Sequence, residues 1–314
     1  MGMIVLNKLS VSIVGAGKVG TALALLLSKQ GYPVAGVAIG ARPADERLVK
    51  ELKTAVTRRP EEITIKADVV FITTTDRLIT PVTEEIGAKG GFKDGQVVLH
   101  TSGSLTADEL RAARAYGASV ASMHPLQSFA NVDMAIKQLS GSYFALEGDE
   151  PALQTAEQVV QDLGGHWFAI DGRDKPLYHA AACIASNYLV SLMHFATGLY
   201  QRFGLSRQEA FQALAPLVEG TINNIGQLSA TGALTGPIAR GDDQTVAQHL
   251  EALSEAGEEA QELYRVMARY TALVALEKGS IDEEQAAKLE KRLGLSTKHK
   301  AQSTNKTNKK DNTK

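Results

Sequence analysis

The fold of this chain is decided by the stretch Val11-Ser12-Ile13-Val14-Gly15-Ala16-Gly17-Lys18-Val19-Gly20. An apolar run typical of a buried strand leads into a G-x-G-x-x-G motif, and a helical pattern opens at Val19. In this context the glycines permit a tight turn, a close approach of phosphate to backbone, and close packing of helix on strand. The free N–H groups at the helix N-terminus attract an anion. The motif therefore predicts a dinucleotide site made by Gly15, Ala16, Gly17, Lys18, Val19 and Gly20.

Outward from this motif, β-rich runs alternate with helical patterns through the first half of the chain. This alternation is typical of βαβ units around a parallel sheet. The predicted fold class is α/β, with an N-terminal Rossmann doubly wound parallel sheet over residues 1–171. Strands are predicted at 11–14, 34–39, 69–73, 97–100, 119–123, 143–146 and 166–170, and helices near 19–30, 45–53, 78–88, 107–115 and 151–163.

The pattern changes at Asp171-Gly172-Arg173-Asp174-Lys175-Pro176, after which strand-like runs stop. Pro176 suits the first turn of a helix, because its missing N–H would have no partner there. We predict a C-terminal all-helical domain over 172–295 for substrate binding and dimerisation, and a disordered polar tail over 296–314. The apolar stretches of the predicted helical domain exceed what a small domain needs for its own core, so we expect a homodimer formed through that domain. Helices are predicted near 177–203, 207–218, 221–228, 244–254 and 260–278.

Composition excludes several classes of protein. With 33 Lys+Arg against 35 Asp+Glu, the net charge of −2 gives no basic field for nucleic acid or an anionic membrane. The single Cys183 forms no intrachain disulfide and fits a reducing compartment, and the seven scattered histidines predict no metal site. No signal peptide or membrane-spanning stretch is recognised. We expect a cytoplasmic protein with a small-molecule partner.

The end of the second predicted strand bears on the choice of nucleotide. NAD selectivity usually rests on an Asp or Glu there, about 20 residues beyond the glycines. Here Val37-Ala38-Ile39-Gly40-Ala41-Arg42 contains no acid, and the first one is Asp45. A guanidinium at Arg42 suits the 2′-phosphate of NADP, the plain alternative being a solvated loop charge. We therefore expect NADP(H) in preference to NAD(H).

Further motifs follow in a fixed order: Thr73-Thr74-Thr75-Asp76, Leu99-His100-Thr101-Ser102-Gly103-Ser104, Met123-His124-Pro125 and Lys175-Pro176-Leu177-Tyr178-His179. With the glycine loop, they resemble the family of Rossmann-like proteins that carry an uncharacterised C-terminal helical domain. That family is similar to the 6-phosphogluconate-dehydrogenase-like superfamily, with ketopantoate reductase, 3-hydroxyisobutyrate dehydrogenase and pyrroline-5-carboxylate reductase. The resemblance covers about residues 9–290. It implies a nicotinamide beyond the strand ends and a substrate between the two domains.

The resemblance also implies roles for the polar residues at the strand ends. Thr73, Thr74, Thr75 and Thr101 are expected to contact the nicotinamide ribose, and Ser102 and Gly103 the substrate. For the three threonines 73–75, the alternative is a strand end that is simply rich in β-branched residues. For the loop 102–104, the alternative is a helix cap ahead of Ala107.

Relatives with a long interdomain helix carry Lys-x-x-x-Asn near its start, and here Lys175 is followed by His179 at the second position. Residues at i and i+4 share a helix face. The candidate catalytic acids are therefore Lys175 and His179. A third candidate is His124 of the His-Pro pair. Asn187 replaces the missing amide or simply packs. Arg240 is expected to clamp a substrate carboxylate, a surface charge being the alternative.

Three functions stay open at this point. The first is an NADP-dependent oxidoreductase that reduces a small carboxylate-bearing carbonyl, with a ketopantoate-like 2-oxo acid as the first expected substrate. The second is a reductase of cyclic imines of the pyrroline-5-carboxylate type. The third is a non-catalytic nucleotide-binding sensor, which the incomplete Lys-x-x-x-Asn pattern keeps open.

Overall fold

The computed structural model describes residues 8–41, 43 and 45–294, and the chain divides into two compact units between Val190 and Ser191. The first unit is a sheet flanked by helices. All seven predicted strands are present, and the sequence analysis misses only the two-residue β3. In the described part of the chain the strands are β1 (Val11–Val14), β2 (Val34–Ala38), β3 (Val56–Thr57), β4 (Val69–Ile72), β5 (Val97–His100), β6 (Ser119–Pro125), β7 (Tyr143–Gly148) and β8 (His166–Ala169).

The helices of this unit connect the strands. The region predicted as one helix over 107–115 is a 3₁₀ turn, Ala107–Leu110, followed by α5, and a second 3₁₀ turn, Gly172–Asp174, precedes α8. The sequence analysis misses α3 and α6, which are short. The helices are α1 (Lys18–Lys29), α2 (Glu46–Lys50), α3 (Glu61–Thr64), α4 (Asp76–Ala88), α5 (Arg111–Arg114), α6 (Val132–Leu139), α7 (Glu150–Asp162) and α8 (Lys175–Cys183).

The strands form one sheet in the order β3-β2-β1-β4-β5-β6-β7-β8. From β1 the chain adds β2 and β3 on one side of the sheet and then β4 and the later strands on the other side. This change of side at β1 makes the sheet doubly wound, as predicted. All neighbouring strands are parallel except β6 and β7, which are antiparallel. The carboxyl ends of β1, β4, β5 and β6 therefore lie along one edge.

The antiparallel pair of β6 and β7 is the exception in the predicted parallel sheet, whose other described neighbours are parallel. The connection between β6 and β7 runs over residues 126–142 and contains α6, which packs on α1. Strand β7 starts where β6 ends, and Phe144 pairs with Pro125.

Alternating strand residues fill a hydrophobic core on each face of the sheet. Ile13 and Phe71 belong to the core under α1, α6 and α7. Val14 and Ile72 belong to the core on the other face, under α3, α4 and α5. Burial on both faces explains why these strands are nearly continuous runs of Val and Ile.

The second unit is helical, as predicted. The two helices predicted over 207–218 and 221–228 form one long helix, α10, broken at Ser229, whose φ of 69° leaves the helical region. Predicted helix 177–203 is interrupted by a π-helical turn, Ile184–Tyr188, and ends in a 3₁₀ turn, Tyr200–Phe203. The α-helices are α9 (Leu189–Leu199), which begins just before the division, α10 (Arg207–Ala233), α11 (Asp243–Ser254), α12 (Glu258–Lys278) and α13 (Glu283–Arg292), the last of them not predicted.

The core of this unit lies between α11, α12 and α13, where Val246, Ala275 and Leu289 are buried. The predicted domain border after Asp171 stays a prediction. The predicted disordered tail, 296–314, lies outside the described residues.

One helical stretch corrects an expectation about membrane spans. Gly172–Phe203 is long and apolar enough to cross a membrane by length and composition, with a mean hydropathy of 1.2 and 6% of its window buried. The sequence analysis recognises no such stretch. A single helix that passes a test of length and composition alone is weak evidence for a membrane protein.

The close packing of α1 on β1 and β4 predicts a strong effect of one added methyl group. A Cβ at Gly20 would lie 2.1 Å from the Gly15 carbonyl oxygen and 2.3 Å from Thr73 Oγ1, whereas a Cβ at Gly17 would meet nothing within 4 Å. We expect Gly20→Ala to lower the free energy of unfolding by at least about 2 kcal/mol. The matched control Gly17→Ala should cost less than about 1 kcal/mol. Urea denaturation measures both, and equal effects of the two variants would contradict this packing.

Candidate active site at the carboxyl edge of the sheet

The β1–α1 turn has the shape of a phosphate cradle. Gly15 has a φ of +110°, and a Cβ there would lie 2.8 Å from the Thr74 backbone nitrogen. Gly17 is the N-cap residue of α1, which has no side-chain capping hydrogen bond. The open space around Gly17 and the uncapped N-terminus of α1 are the features that an anion needs. The residues present therefore fit the predicted pyrophosphate of a dinucleotide.

The three threonines at the end of β4 have different environments. Thr73 Oγ1 donates a hydrogen bond to the Gly15 carbonyl at 2.6 Å, so this side chain ties the strand to the turn. Thr74 Oγ1 is buried without a hydrogen-bond partner. Thr75 is exposed and precedes α4 as its N-cap residue.

The loop after β5 is held by buried polar groups. His100 Nε2 lies 3.0 Å from the Thr106 carbonyl oxygen, and His100 Nδ1 accepts from the Ser102 backbone N–H at 3.1 Å. The hydroxyls of Ser102 and Ser104 both donate to Asp76 Oδ2 at 2.9 Å. The two serines therefore anchor the loop to the start of α4.

Ser102 does cap a turn, because its hydroxyl accepts the backbone N–H groups of Ser104 and Leu105 at 3.3 and 3.2 Å, but it does not cap the 3₁₀ turn at 107. The 3₁₀ turn at 107 has Thr106 as its N-cap residue, without a side-chain cap. The Ala107 N–H is bound instead by the Glu147 carboxylate at 2.8 Å. Thr101 is half-buried on the same loop.

Lys175 is completely buried, although it opens α8. Its Nζ donates to Ser122 Oγ at 2.6 Å and to the Ser102 carbonyl oxygen at 3.3 Å. Burial lowers the pKa of Lys175 to about 8, against the opposing negative charges of Glu147 and Asp76. The ammonium thus links α8, β6 and the loop after β5.

His124 and Tyr178 form a hydrogen-bonded pair, with Nδ1 and Oη 2.7 Å apart. Burial, and secondarily the positive charge of Lys175, lowers the pKa of His124 to about 4, so its imidazole is neutral at neutral pH. Burial raises the pKa of Tyr178 to about 12, so the phenol keeps its proton. The His179 ring stands edge-on to His124, with 6.3 Å between their centroids.

Gly103 is required where these rings meet the loop. A Cβ on Gly103 would lie 2.8 Å from His124 Nε2 and 2.9 Å from His179 Cδ2. The predicted substrate contact at Gly103 is therefore, in this structure, a close approach of backbone to two imidazole rings.

These rings open onto a cavity of about 560 Å³, which we call the strand-edge cavity. The π-helical turn 184–188 contributes to its wall, and such turns are frequent at functional sites. Among the described residues no Lys, Arg, Asp or Glu lines it. Its lining consists of His124, Leu126, Gln127, Ser128, Phe168, Tyr178, His179, Ala181, Ala182, Cys183, Ala185, Ser186 and Asn187.

The structure brings together only some of the predicted site residues. His124, His179 and Asn187 line the strand-edge cavity, whereas Lys175 does not. Arg240 is exposed on the 3₁₀ turn Ile238–Arg240 of the second unit. Arg42 lies outside the described residues. Within those residues, no group of three or more potential ligands could hold a metal ion.

Sequence reasoning missed Tyr178. The residue stands in the quoted motif, three positions after Lys175, so the helical periodicity that relates Lys175 to His179 also places Tyr178 near the same face. Its pairing with His124, 54 positions earlier, carries no local sequence signal.

Comparisons with known proteins agree with this architecture. A model described as Rossmann-like domain matches residues 2–125, and a model described as domain of unknown function DUF2520 matches residues 142–271. This chain carries a Rossmann-like domain and a DUF2520 domain. No curated protein matches it in sequence.

Solved structures similar to this Rossmann-like and DUF2520 chain include protein TM1727 of Thermotoga maritima, at 27% identity and a TM-score of 0.65, covering 86% of this chain and 99% of the other. An imine reductase from Pseudomonas sp. is 19% identical with a TM-score of 0.61 and coverages of 91% and 100%. Pyrroline carboxylate reductase of Plasmodium falciparum with NADP bound is 14% identical with a TM-score of 0.54 and coverages of 90% and 99%.

The buried His100 predicts a pH-dependent contribution to stability. Burial lowers the pKa of His100 to about 4 in the folded chain, against 6.5 when unfolded, so the unfolded state binds the proton more tightly. The neutral His100 side chain therefore makes its full contribution to folding stability above pH 6.5, and this contribution is lost as the pH falls toward 4.

We expect the stability difference between wild type and His100→Asn to shrink by roughly 2 kcal/mol from pH 7.5 to 4.5, in urea titrations. His166→Asn, the same replacement at an exposed histidine, is the matched control. If the difference in free energy of unfolding between wild type and His100→Asn did not vary with pH, the lowered pKa of His100 would be contradicted.

Proposed function

We propose that this chain is an NAD(P)H-dependent reductase that transfers hydride to the C=N or C=O bond of a small molecule held in the strand-edge cavity. The observation that carries the proposal is that the nucleotide cradle and the paired His124 and Tyr178 occupy the same edge of one sheet. In open α/β sheets, ligands bind outside the carboxyl ends of the strands.

The chain's own groups supply binding and orientation. The N-terminus of α1 attracts the pyrophosphate, because its backbone N–H groups have no side-chain cap. NADPH, when bound, supplies a hydride from its nicotinamide ring. The neutral His124 and protonated Tyr178 provide hydrogen bonds to the reacting bond without placing a charge in the cavity.

We propose NADP(H) as the preferred nucleotide. The end of β2 lacks an acid, and the Asp45 beyond it is engaged by Arg47 at 2.7 Å. The Ile39 N–H donates to the Thr57 carbonyl at 2.9 Å, so the exposed Arg58 follows directly beside the end of β2. We propose that Arg58 binds the 2′-phosphate of NADP together with Arg42, whose role as a phosphate partner is predicted from the sequence.

The uncharged lining favours an imine over a 2-oxo acid. A substrate carboxylate needs a cationic partner, and the lining of the cavity provides none among the described residues. A neutral imine needs only hydrogen bonds and apolar contacts, and an imine reductase shares this fold. The ketopantoate-like 2-oxo acid is the second candidate, with Arg240 as its proposed clamp.

The test is oxidation of NADPH and of NADH, followed at 340 nm, against matched panels of cyclic imines and 2-oxo acids. We expect turnover of at least one cyclic imine, faster with NADPH than with NADH. Turnover of 2-oxo acids alone would overturn the imine assignment. Saturable nucleotide binding without turnover of any compound would indicate a sensor and overturn the reductase.

A control variant separates binding from folding. Gly17→Asp introduces a favourable N-cap residue for α1, so the melting temperature should be kept. The new carboxylate should repel the pyrophosphate and weaken nucleotide binding at least about tenfold. Unchanged nucleotide affinity in a folded variant would show that the cradle is elsewhere.

We also propose that the chain forms a homodimer through its second unit. There α10 and α12 pack together and expose large apolar side chains, including Leu217, Leu228, Val266 and Tyr270, each more than half exposed. Apolar surfaces of this kind mark interaction sites. Light scattering at micromolar concentration should give about 67 kDa, twice the 33.5 kDa of one chain. A mass of one chain would contradict the dimer, and a requirement for detergent would indicate a membrane surface instead.

A further inference from the structure

The phenol of Tyr178 is a chemical group in the strand-edge cavity to which the sequence motifs assign no role. It lies on α8 with its Oη 2.7 Å from His124 Nδ1, and its ring stands edge-on to Phe168, with 6.0 Å between centroids. Both members of the pair line the cavity. The phenol is therefore held at a fixed place on the wall rather than free to rotate into solvent.

The reduction needs a proton as well as a hydride. Hydride adds to the carbon of the C=N or C=O bond, whose π electron pair moves to nitrogen or oxygen, and that atom then takes up a proton. The group that delivers it must be protonated at neutral pH and must reach the cavity.

Lys175 meets only one of these requirements. It is completely buried, does not line the cavity, and directs its Nζ at Ser122 and at the Ser102 carbonyl. Its hydrogen bonds position the loop after β5 and the strand that carries His124. These contacts give Lys175 a positioning role.

The hydrogen bond between Tyr178 and His124 has two arrangements. The phenol donates to Nδ1 of one imidazole tautomer, or Nδ1–H of the other tautomer donates to Oη and leaves the phenol proton directed to a ligand. In the second arrangement, the phenol gives its proton to the ligand, and the Nδ1–H of His124 then gives a proton to Oη. His124 Nε2 takes up a proton from water in its place. The imidazole returns to a neutral form, so no charge accumulates in the cavity.

We propose that Tyr178 donates the proton to the substrate as the hydride arrives, and that His124 positions the phenol and restores its proton. The assignment rests on the proposed reductase function. It names a catalytic residue for that reaction and leaves the cofactor site unchanged.

Tyr178→Phe tests the assignment, because phenylalanine keeps the ring and removes the hydroxyl. We expect kcat for a neutral cyclic imine to fall at least about a hundredfold. The affinity for NADPH, measured by fluorescence titration, should stay within about twofold, and the melting temperature should be close to that of wild type. Tyr143→Phe makes the same chemical change at a tyrosine of β7 that is 53% exposed and outside the cavity lining, and it should retain full activity.

An N-methylated iminium ion separates proton donation from orientation, since it accepts a hydride and needs no proton. Tyr178→Phe should reduce this substrate at close to the wild-type rate. Equal losses on the imine and the iminium would give Tyr178 an orienting role, and full activity on both would remove it from the reaction. Either result would overturn the inference. Failure of wild type on every substrate would instead overturn the proposed function on which it rests.

Discussion

The site depends on the close contact between the β1–α1 turn and the end of β4. The Thr73 hydroxyl donates to the Gly15 carbonyl at 2.6 Å, and no side chain fits at Gly20 between them. This contact fixes the start of α1, and with it the uncapped N-terminus that opens at Gly17. The same contact leaves Thr74 Oγ1 buried without a partner beside the turn. A glycine-rich turn thus becomes a preformed anion cradle.

A second constraint acts further along the same edge. The ammonium of Lys175, desolvated within the fold, is stabilised by Ser122 and by the Ser102 carbonyl, and its charge adds to the effect of burial on His124. Burying a cation is costly unless hydrogen bonds compensate it, so α8 is held to the two elements that supply these bonds, β6 and the loop after β5. The cavity itself then remains uncharged. Its chemistry depends on neutral donors and acceptors rather than on ion pairs.

Local patterns in the sequence were sufficient for much of this fold. The glycine motif, the Val-rich strands and the change of pattern near 171 predict the sheet and the helical second half. The patterns did not predict β3, because two residues make no periodic run. They did not predict the antiparallel β7 either, because strand direction is set by pairing between distant residues and not by local periodicity. At the site, His124 and His179 do line the cavity, as their candidate roles require. The burial of Lys175 and the partnership of Tyr178 arise from contacts across 53 and 54 positions, beyond any local pattern.

The central claim is that hydride transfer takes place in the strand-edge cavity, and a crystal structure of the protein with NADP⁺ tests it most directly. The account predicts the pyrophosphate over Gly17 and a nicotinamide ring at the carboxyl ends of β4 and β5, with C4 open to the cavity beside His124 and Tyr178. A nicotinamide ring bound elsewhere, with its C4 turned away from these two side chains, would contradict the account.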